Sequence, residues 1–351
     1  MTQKRHVRLW PRRLPVAAAL AAAMACAVSA GSASAAPAPA SPVSATGTAL
    51  VGKTIFLDPG HQGGADGHDL AKQVSDGRGG KKDCQTTGAT SVNGVTEHTI
   101  NWQIAQLVKA GLESQGARVV LSRANDTGWG GCVDERAAAA SRSGAAVAVS
   151  LHADSTSYGA DNTKKGFHLI VPTLPLPDAK ANAAQSVQGR KASEIMRDAF
   201  VKAGFPPSNY VGAVNGIQAR SDIAAVNLTR IPAVFIEMGN LSNPAEANQL
   251  TRHDGQLKYA LAVTNGILNY VHPGAAQVTS SPGTAGVTAP SSDDDSGLSI
   301  VIPFVQKLLA SKDPHEIANL ALTEGSDVSA QVLKAMLDVV YGLFGGKLPV
   351  G

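Results

Sequence analysis

Between Leu50 and His272 the chain alternates short, continuously apolar runs with longer runs that are apolar only at every third or fourth position. Few folds satisfy both patterns at once. The short runs are 54–58, 118–123 (RVVLSR), 146–153 (AVAVSLHA), 166–172 (GFHLIVP) and 232–239 (PAVFIEMG). Several are apolar at consecutive positions, as a strand buried on both faces requires; a strand with one wet face would alternate. Helical patterns fill the gaps over about 97–115, 134–143, 182–203 and 244–271. In the first of these Ile100, Ile104, Leu107, Val108, Gly111 and Leu112 recur at helical spacing, and Gly116 stops it. Strands alternating with helices predict an α/β domain of three layers, a largely parallel twisted sheet flanked by helices. About 220 residues are ample for one such core.

The two ends stand outside that pattern. Lys4, Arg5, Arg8, Arg12 and Arg13 precede the apolar run PVAAALAAAMACAVSA, and Ala33-Ser34-Ala35 follows as a small-residue cleavage pattern. Residues 1–36 therefore read as a signal peptide. The run is alanine-rich and falls short of the roughly 20 apolar residues a spanning helix needs, so the mature chain is expected to have no transmembrane segment. The pair Arg12-Arg13 leaves the Sec and twin-arginine routes both open. Five of the 30 Lys and Arg lie in this segment and none of the 27 Asp and Glu, so the remainder carries 25 bases against 27 acids, a formal charge of −2. The basic balance of the whole chain thus gives no reason to expect a nucleic-acid partner. Residues 37–49 form a flexible Pro/Ala/Ser leader, and 274–297, rich in Pro, Ser and Gly and ending in three aspartates, a disordered linker. Residues 298–351 are a separate C-terminal helical segment. Asp313-Pro314-His315-Glu316 opens a helix there, and Val332, Leu333, Met336, Leu337, Val340, Tyr341 and Phe344 share one apolar face.

The strands predict where chemistry can sit. In open α/β sheets, sites lie beyond the carboxyl ends of the strands. TIFLDP runs into Gly60 and His61; SLHAD delivers His152 and Asp154; PAVFIEMGN places Glu237 where an apolar run meets a Gly-Asn turn. Glu97, in NGVTEHTINW, opens the first long helix, with Thr96 as its expected cap. Taken singly, each has an ordinary explanation: a glutamate at a helix start is favoured by the helix dipole, and histidines are common in turns. Glu237 is harder to dismiss, because a carboxylate among Val234, Phe235, Ile236 and Met238 is costly to bury unless it is paired or useful.

Two imidazoles and one carboxylate make a three-ligand zinc site with the fourth position open. A second, unliganded carboxylate can then move protons. The spacings of 36, 55 and 85 residues between successive members carry no motif information; the signal lies in their positions at element ends. Asp58 and Asp154 can orient the neighbouring histidines or cap turns. His98 reads as a surface residue or a neighbour of the ligands, and His68, His168, His253, His272 and His315 lack a partner pattern. Ser150, Ser221 and Ser242 show no nucleophile elbow, which argues against a serine hydrolase. Cys84 and Cys132, the cysteines left outside the signal peptide, are expected to form a disulfide in an exported chain; a zinc pair would call for a close Cys-x-x-Cys spacing.

IFLDPGHQG, the helix-start Glu97 followed by INWQIAQLVKAGLESQGARVVLSR, SLHAD and AVFIEMGNLSNPAEANQL occur in that order over about 53–271. In these motifs the chain resembles the zinc-dependent N-acetylmuramoyl-L-alanine amidases of the amidase-3 family. The resemblance implies that 50–273 is a zinc amidase catalytic domain that cuts the amide between N-acetylmuramic acid and L-alanine in peptidoglycan and releases stem peptides. It implies one Zn2+ per chain held by His61, Glu97 and His152, with Glu237 as the catalytic glutamate. The expected partner is peptidoglycan or a muropeptide, met by a monomer in the periplasm, cell wall or extracellular space. Arg220, in GIQARSDIAAVNLTR, is a candidate contact for a substrate carboxylate. Met238-Gly239-Asn240 departs from the residues usual after the catalytic glutamate, and no long inhibitory helix or wall-binding repeat is evident. A zinc carboxypeptidase-like peptidase and a non-catalytic cell-wall-binding protein are the alternatives. The boundary after residue 273 predicts that a chain truncated after His272 folds cooperatively and retains zinc; loss of a cooperative melt by circular dichroism would show that the C-terminal residues complete the core.

Overall fold

A computed structural model describes residues 49–274. The expected signal peptide, the leader up to residue 48, the expected linker beyond residue 274 and the expected C-terminal helical segment lie outside the described residues. In chain order the elements are β1 (Thr54–Pro59), β2 (Gln73–Ser75), β3 (Lys81–Asp83), α1 (Glu97–Ser114), β4 (Arg118–Leu121), α2 (Val133–Arg142), β5 (Val147–Asp154), β6 (His168–Pro172), α3 (Ala179–Ala183), a π-helical turn (Ala184–Gly189), α4 (Arg190–Lys202), β7 (Ile217–Arg220), α5 (Ala224–Leu228), β8 (Ala233–Asn240), α6 (Pro244–Thr251) and α7 (His253–Val271). Six strands form one sheet in the order β4-β1-β5-β8-β6-β7. β4, β1, β5 and β8 run parallel, whereas β6 joins β8 antiparallel and carries β7 parallel to itself. The expected largely parallel sheet is present, with two reversed strands at one edge.

Register divides the sheet into two unlike faces, because successive side chains on a strand point opposite ways. On one face Leu57, Val149 and Val234 form a row, and Leu151, Ile236 and Leu169 the next. These pack against Ile100, Ile104, Val108 and Leu112 of α1, Met196 and Phe200 of α4, and Val263 and Ile267 of α7. Each fully buried Leu or Ile contributes roughly 1.5–3 kcal/mol, so this layer dominates the stability of the domain. On the opposite face the rows change character toward the carboxyl ends. Phe56, Ala148 and Ala233 come first and pack with Ala140 of α2. Asp58, Ser150 and Phe235 follow, and then His152 beside Glu237.

Three departures from the sequence reading have local causes. The helical pattern over 244–271 divides at Arg252, which is extended at φ −98° and ψ 144°. The Gln256 amide donates to the Leu250 carbonyl, at 3.0 Å, at the corner, and a Cβ on Gly255 would sit 1.9 Å from the Gln249 oxygen, so the close corner needs glycine there. The 182–203 pattern is a longer helical stretch interrupted by the π turn. β2 and β3, a small antiparallel hairpin, are too polar to show any strand period in sequence. Among the described residues no helix is long and apolar enough to cross a membrane.

Cys84, directly after β3, is bonded to Cys132 at the start of α2, closing a sequence separation of 48. Both cysteines are buried with Val74 in a small cluster separate from the main core. A loop of that size predicts about 2–4 kcal/mol of stabilisation. Thiol titration of the chain lacking residues 1–36, denatured without reductant, is expected to find no free thiol, and reduction to lower the thermal midpoint without abolishing the fold. Two titratable thiols would contradict the bridge.

Candidate active site

The chain leaves β1 through Pro59 and Gly60 and turns sharply at His61, whose φ of 60° is unusual for a residue other than glycine. The turn holds the imidazole over the end of the sheet. The Thr86 carbonyl and hydroxyl each lie 3.1 Å from His61 Nδ1. Donation of Nδ1–H to the carbonyl leaves the lone pair on Nε2, which faces Glu97 Oε1 at 3.1 Å. Glu97 is the first residue of α1 and only 4 % exposed. Thr96 stands at the N-cap but makes no side-chain cap; its hydroxyl pairs with His98 and Thr99 instead. The Glu97 carboxylate accepts from the amides of Ala153, at 3.1 Å, and Ala89, at 2.8 Å.

His152 completes the group. Its Nδ1 lies 3.1 Å from the same Glu97 oxygen, and its ring stacks on Phe235 at 4.4 Å with an interplanar angle of 14°. The ligand atoms of His61, Glu97 and His152 all lie within 4.8 Å of one another. Two imidazole nitrogens and a carboxylate oxygen at that spacing suit a borderline cation such as zinc. The backbone around them is cut to the same shape. A Cβ on Gly60 would fall 2.3 Å from the His152 ring, and one on Gly88 would fall 2.8 Å from the His61 ring and 3.0 Å from Glu97 Oε2. Either methyl would press on one of these three side chains.

Glu237 sits beside His152 in strand register. Between His152 and Asp154 the β5 register shifts, an irregularity of the kind that re-aims side chains near sites. One Glu237 oxygen, Oε2, is buried without a hydrogen-bond partner. Burial, and then the charges of Asp154 and Glu97, push this carboxyl well above the usual range against the pull of Arg220. Glu97 behaves oppositely. Burial works to raise it, but His61 and His152 together hold it well below the usual carboxylate range.

All four residues line one cleft of about 820 Å³, with Lys82 of the hairpin and Arg220 of β7 also on its surface. That volume admits a substrate of peptide size, not water alone. Arg220 is held by Asp222 through Nε–Oδ1, at 2.9 Å, and Nη2–Oδ2, at 2.5 Å. Asp58 bonds to Arg136, at 3.1 Å, and to the Ser150 hydroxyl, at 2.7 Å. His98 is fixed by Asp126 at 2.9 Å; His68 stacks on Trp129; His168 is buried, and burial followed by the charge of Arg220 brings it down to about 4. Ser242 bonds across to the 155–157 loop. Sequence reasoning missed Arg136 and Thr86. The one available signal was that Arg136 shares a helical face with Ala140 in an otherwise alanine-rich run, an arginine where a core side chain belongs.

The sequence and fold are similar to those of known proteins. A family profile described as N-acetylmuramoyl-L-alanine amidase matches residues 55–269. The N-acetylmuramoyl-L-alanine amidase Rv3717 of Mycobacterium tuberculosis is 38 % identical over 231 residues, 66 % of this chain and 91 % of that protein. The N-acetylmuramyl-L-alanine amidase Ami1 of Mycobacterium smegmatis is similar in structure, with a TM-score of 0.58 and 39 % identity over 63 % of this chain and 98 % of that one. Ami1 of Mycobacterium abscessus gives a TM-score of 0.58 and 36 % identity over 63 % and 99 %. With its sheet, its cleft and its histidine–glutamate cluster within the matched span, this chain belongs to the N-acetylmuramoyl-L-alanine amidase family, amidase-3.

Proposed function

We propose that this amidase holds one zinc ion through His61, Glu97 and His152, and that Glu237 moves the proton as the amide between N-acetylmuramic acid and L-alanine is hydrolysed and the stem peptide released. The observation that carries the reading is the convergence of the three ligand atoms within 4.8 Å, in a cleft where Glu237 has an unpartnered buried oxygen. A zinc ion there would supply Lewis acidity, bringing the pKa of water toward about 7 and polarising the amide carbonyl.

The protein's own groups do the rest. Thr86 and the turn orient His61; the amides of Ala89 and Ala153 hold Glu97 ionised and in place. Glu237, unencumbered by hydrogen bonds at Oε2, accepts a proton from the attacking water and returns it to the departing amine. The unusual elevation of its pKa reflects burial and two neighbouring carboxylates; a dication nearby would draw it back toward the working range. Arg220, anchored by Asp222, faces the same cleft and is suited to meet a carboxylate of the stem peptide. The substrate implies an exported protein that acts in the periplasm, cell wall or extracellular space.

Binding and chemistry separate by mutation. Glu237→Gln is expected to keep about one zinc per chain while hydrolysis falls by roughly 10²–10⁴-fold, since the amide cannot accept the proton. His152→Ala is expected to lose zinc and activity together. Elemental analysis, circular dichroism and release of stem peptides from peptidoglycan read all three properties. A folded E237Q protein without zinc would make Glu237 a ligand; one that is zinc-loaded and fully active would remove it from the mechanism. Gly60→Ala is expected to lower zinc occupancy in a folded protein, because its methyl overlaps the His152 ring; unchanged occupancy would mean that the ring has room to move.

A further inference from the structure

Side chains from two segments distant in sequence hold the turn that carries His61. Arg136 of α2, whose side chain is 5 % exposed, spreads its guanidinium over the turn. Nη1 donates to the Pro59 carbonyl at 3.1 Å and to Asp58 Oδ1 at 3.1 Å. Nη2 donates to the His61 carbonyl at 2.7 Å and to Gln62 Oε1 at 3.0 Å. The seat is shaped for this side chain, since a Cβ on Gly130 would lie 2.2 Å from Nη2. The second grip is Thr86, at the ring itself, through Nδ1. Arg136 thus fixes the backbone of the ligand, and Thr86 fixes its ring.

These two segments are far apart in sequence, and the disulfide joins them. Cys84 precedes Thr86 by two residues and Cys132 precedes Arg136 by four. One backbone hydrogen bond, from the Val133 amide to the Cys84 carbonyl at 2.8 Å, runs alongside. We propose that Arg136 is a positioning residue for His61, and that the Cys84–Cys132 bridge couples it to Thr86 so that reduction of the bridge weakens metal binding without unfolding the domain. This rests on the reading of His61 as a zinc ligand. The bridge belongs to a cluster separate from the core, so its reduction acts locally. Arg123 Nε also reaches the Pro59 carbonyl, at 3.0 Å, so the turn keeps a partner when Arg136 is shortened.

The test measures zinc affinity by competition with a chromophoric chelator, with far-UV circular dichroism on every sample. Wild type, His61→Ala, Arg136→Lys and wild type reduced by a phosphine, then desalted without oxygen, are compared. Lysine keeps the charge but cannot reproduce the fork of donors. R136K and the reduced protein are each expected to remain folded and to bind zinc about 10–100-fold more weakly, the usual effect of losing a partner that orients a ligand. Reoxidation is expected to restore wild-type affinity. Wild-type affinity in either folded sample overturns the proposal, and if R136K does not fold, the reduced protein decides alone. H61A distinguishes the two levels. If H61A keeps zinc, the ligand assignment fails and this inference falls with it; if H61A loses zinc while R136K and the reduced protein bind like wild type, only the inference falls.

Discussion

Residues one apart on a strand face opposite ways, and the whole site depends on how this sheet uses that fact. Leu151 and Ala153 point into the helical core, which leaves His152 between them on the other face; Ile236 and Met238 do the same for Glu237. A shift of one residue in either strand would bury a titratable group among α1, α4 and α7 and expose an aliphatic one. The apolar layer that stabilises the domain is therefore also what holds the reactive layer in register. The rows from Phe56, Ala148 and Ala233 to His152 and Glu237 show the transition, from apolar residues that pack with α2 to polar ones that line the cleft.

Much of this could be read from the sequence, because strand ends are a local signal. The five apolar runs became five sheet strands, with limits that differ by one to a few residues; His61 follows β1, whereas His152 and Glu237 lie inside β5 and β8, since Gly239 and Asn240 continue the strand instead of turning, and all three line one cleft with Glu97. What escaped was non-local or polar. The reversal of β6 and β7 leaves no trace in apolar spacing, which is blind to strand direction. The hairpin strands, Gln73–Ser75 and Lys81–Asp83, are held by pairing and a neighbouring disulfide, so they lack a hydrophobic period. Arg136 contacts a turn that lies 74 to 78 residues earlier, and no pattern within α2 reveals that distance. Thr96 had the right residue type for a cap, but the neighbouring His98 and Thr99 took its hydroxyl.

The two glutamates of the site show why composition alone could not assign their roles. Both are carboxylates inside the same cleft, and burial pushes both toward the neutral form. For Glu97 two imidazoles outweigh burial, and the backbone amides of Ala89 and Ala153 add hydrogen bonds that favour charge. For Glu237 the charges of Asp154 and Glu97 itself reinforce burial, and Arg220 opposes them only in part. Environment thus drives identical side chains apart, one held ionised and the other pushed toward the neutral form. The ionised one is suited to hold a cation through repeated turnovers, because its charge does not depend on the proton in transit. The other is suited to carry that proton, because no fixed donor competes for its Oε2.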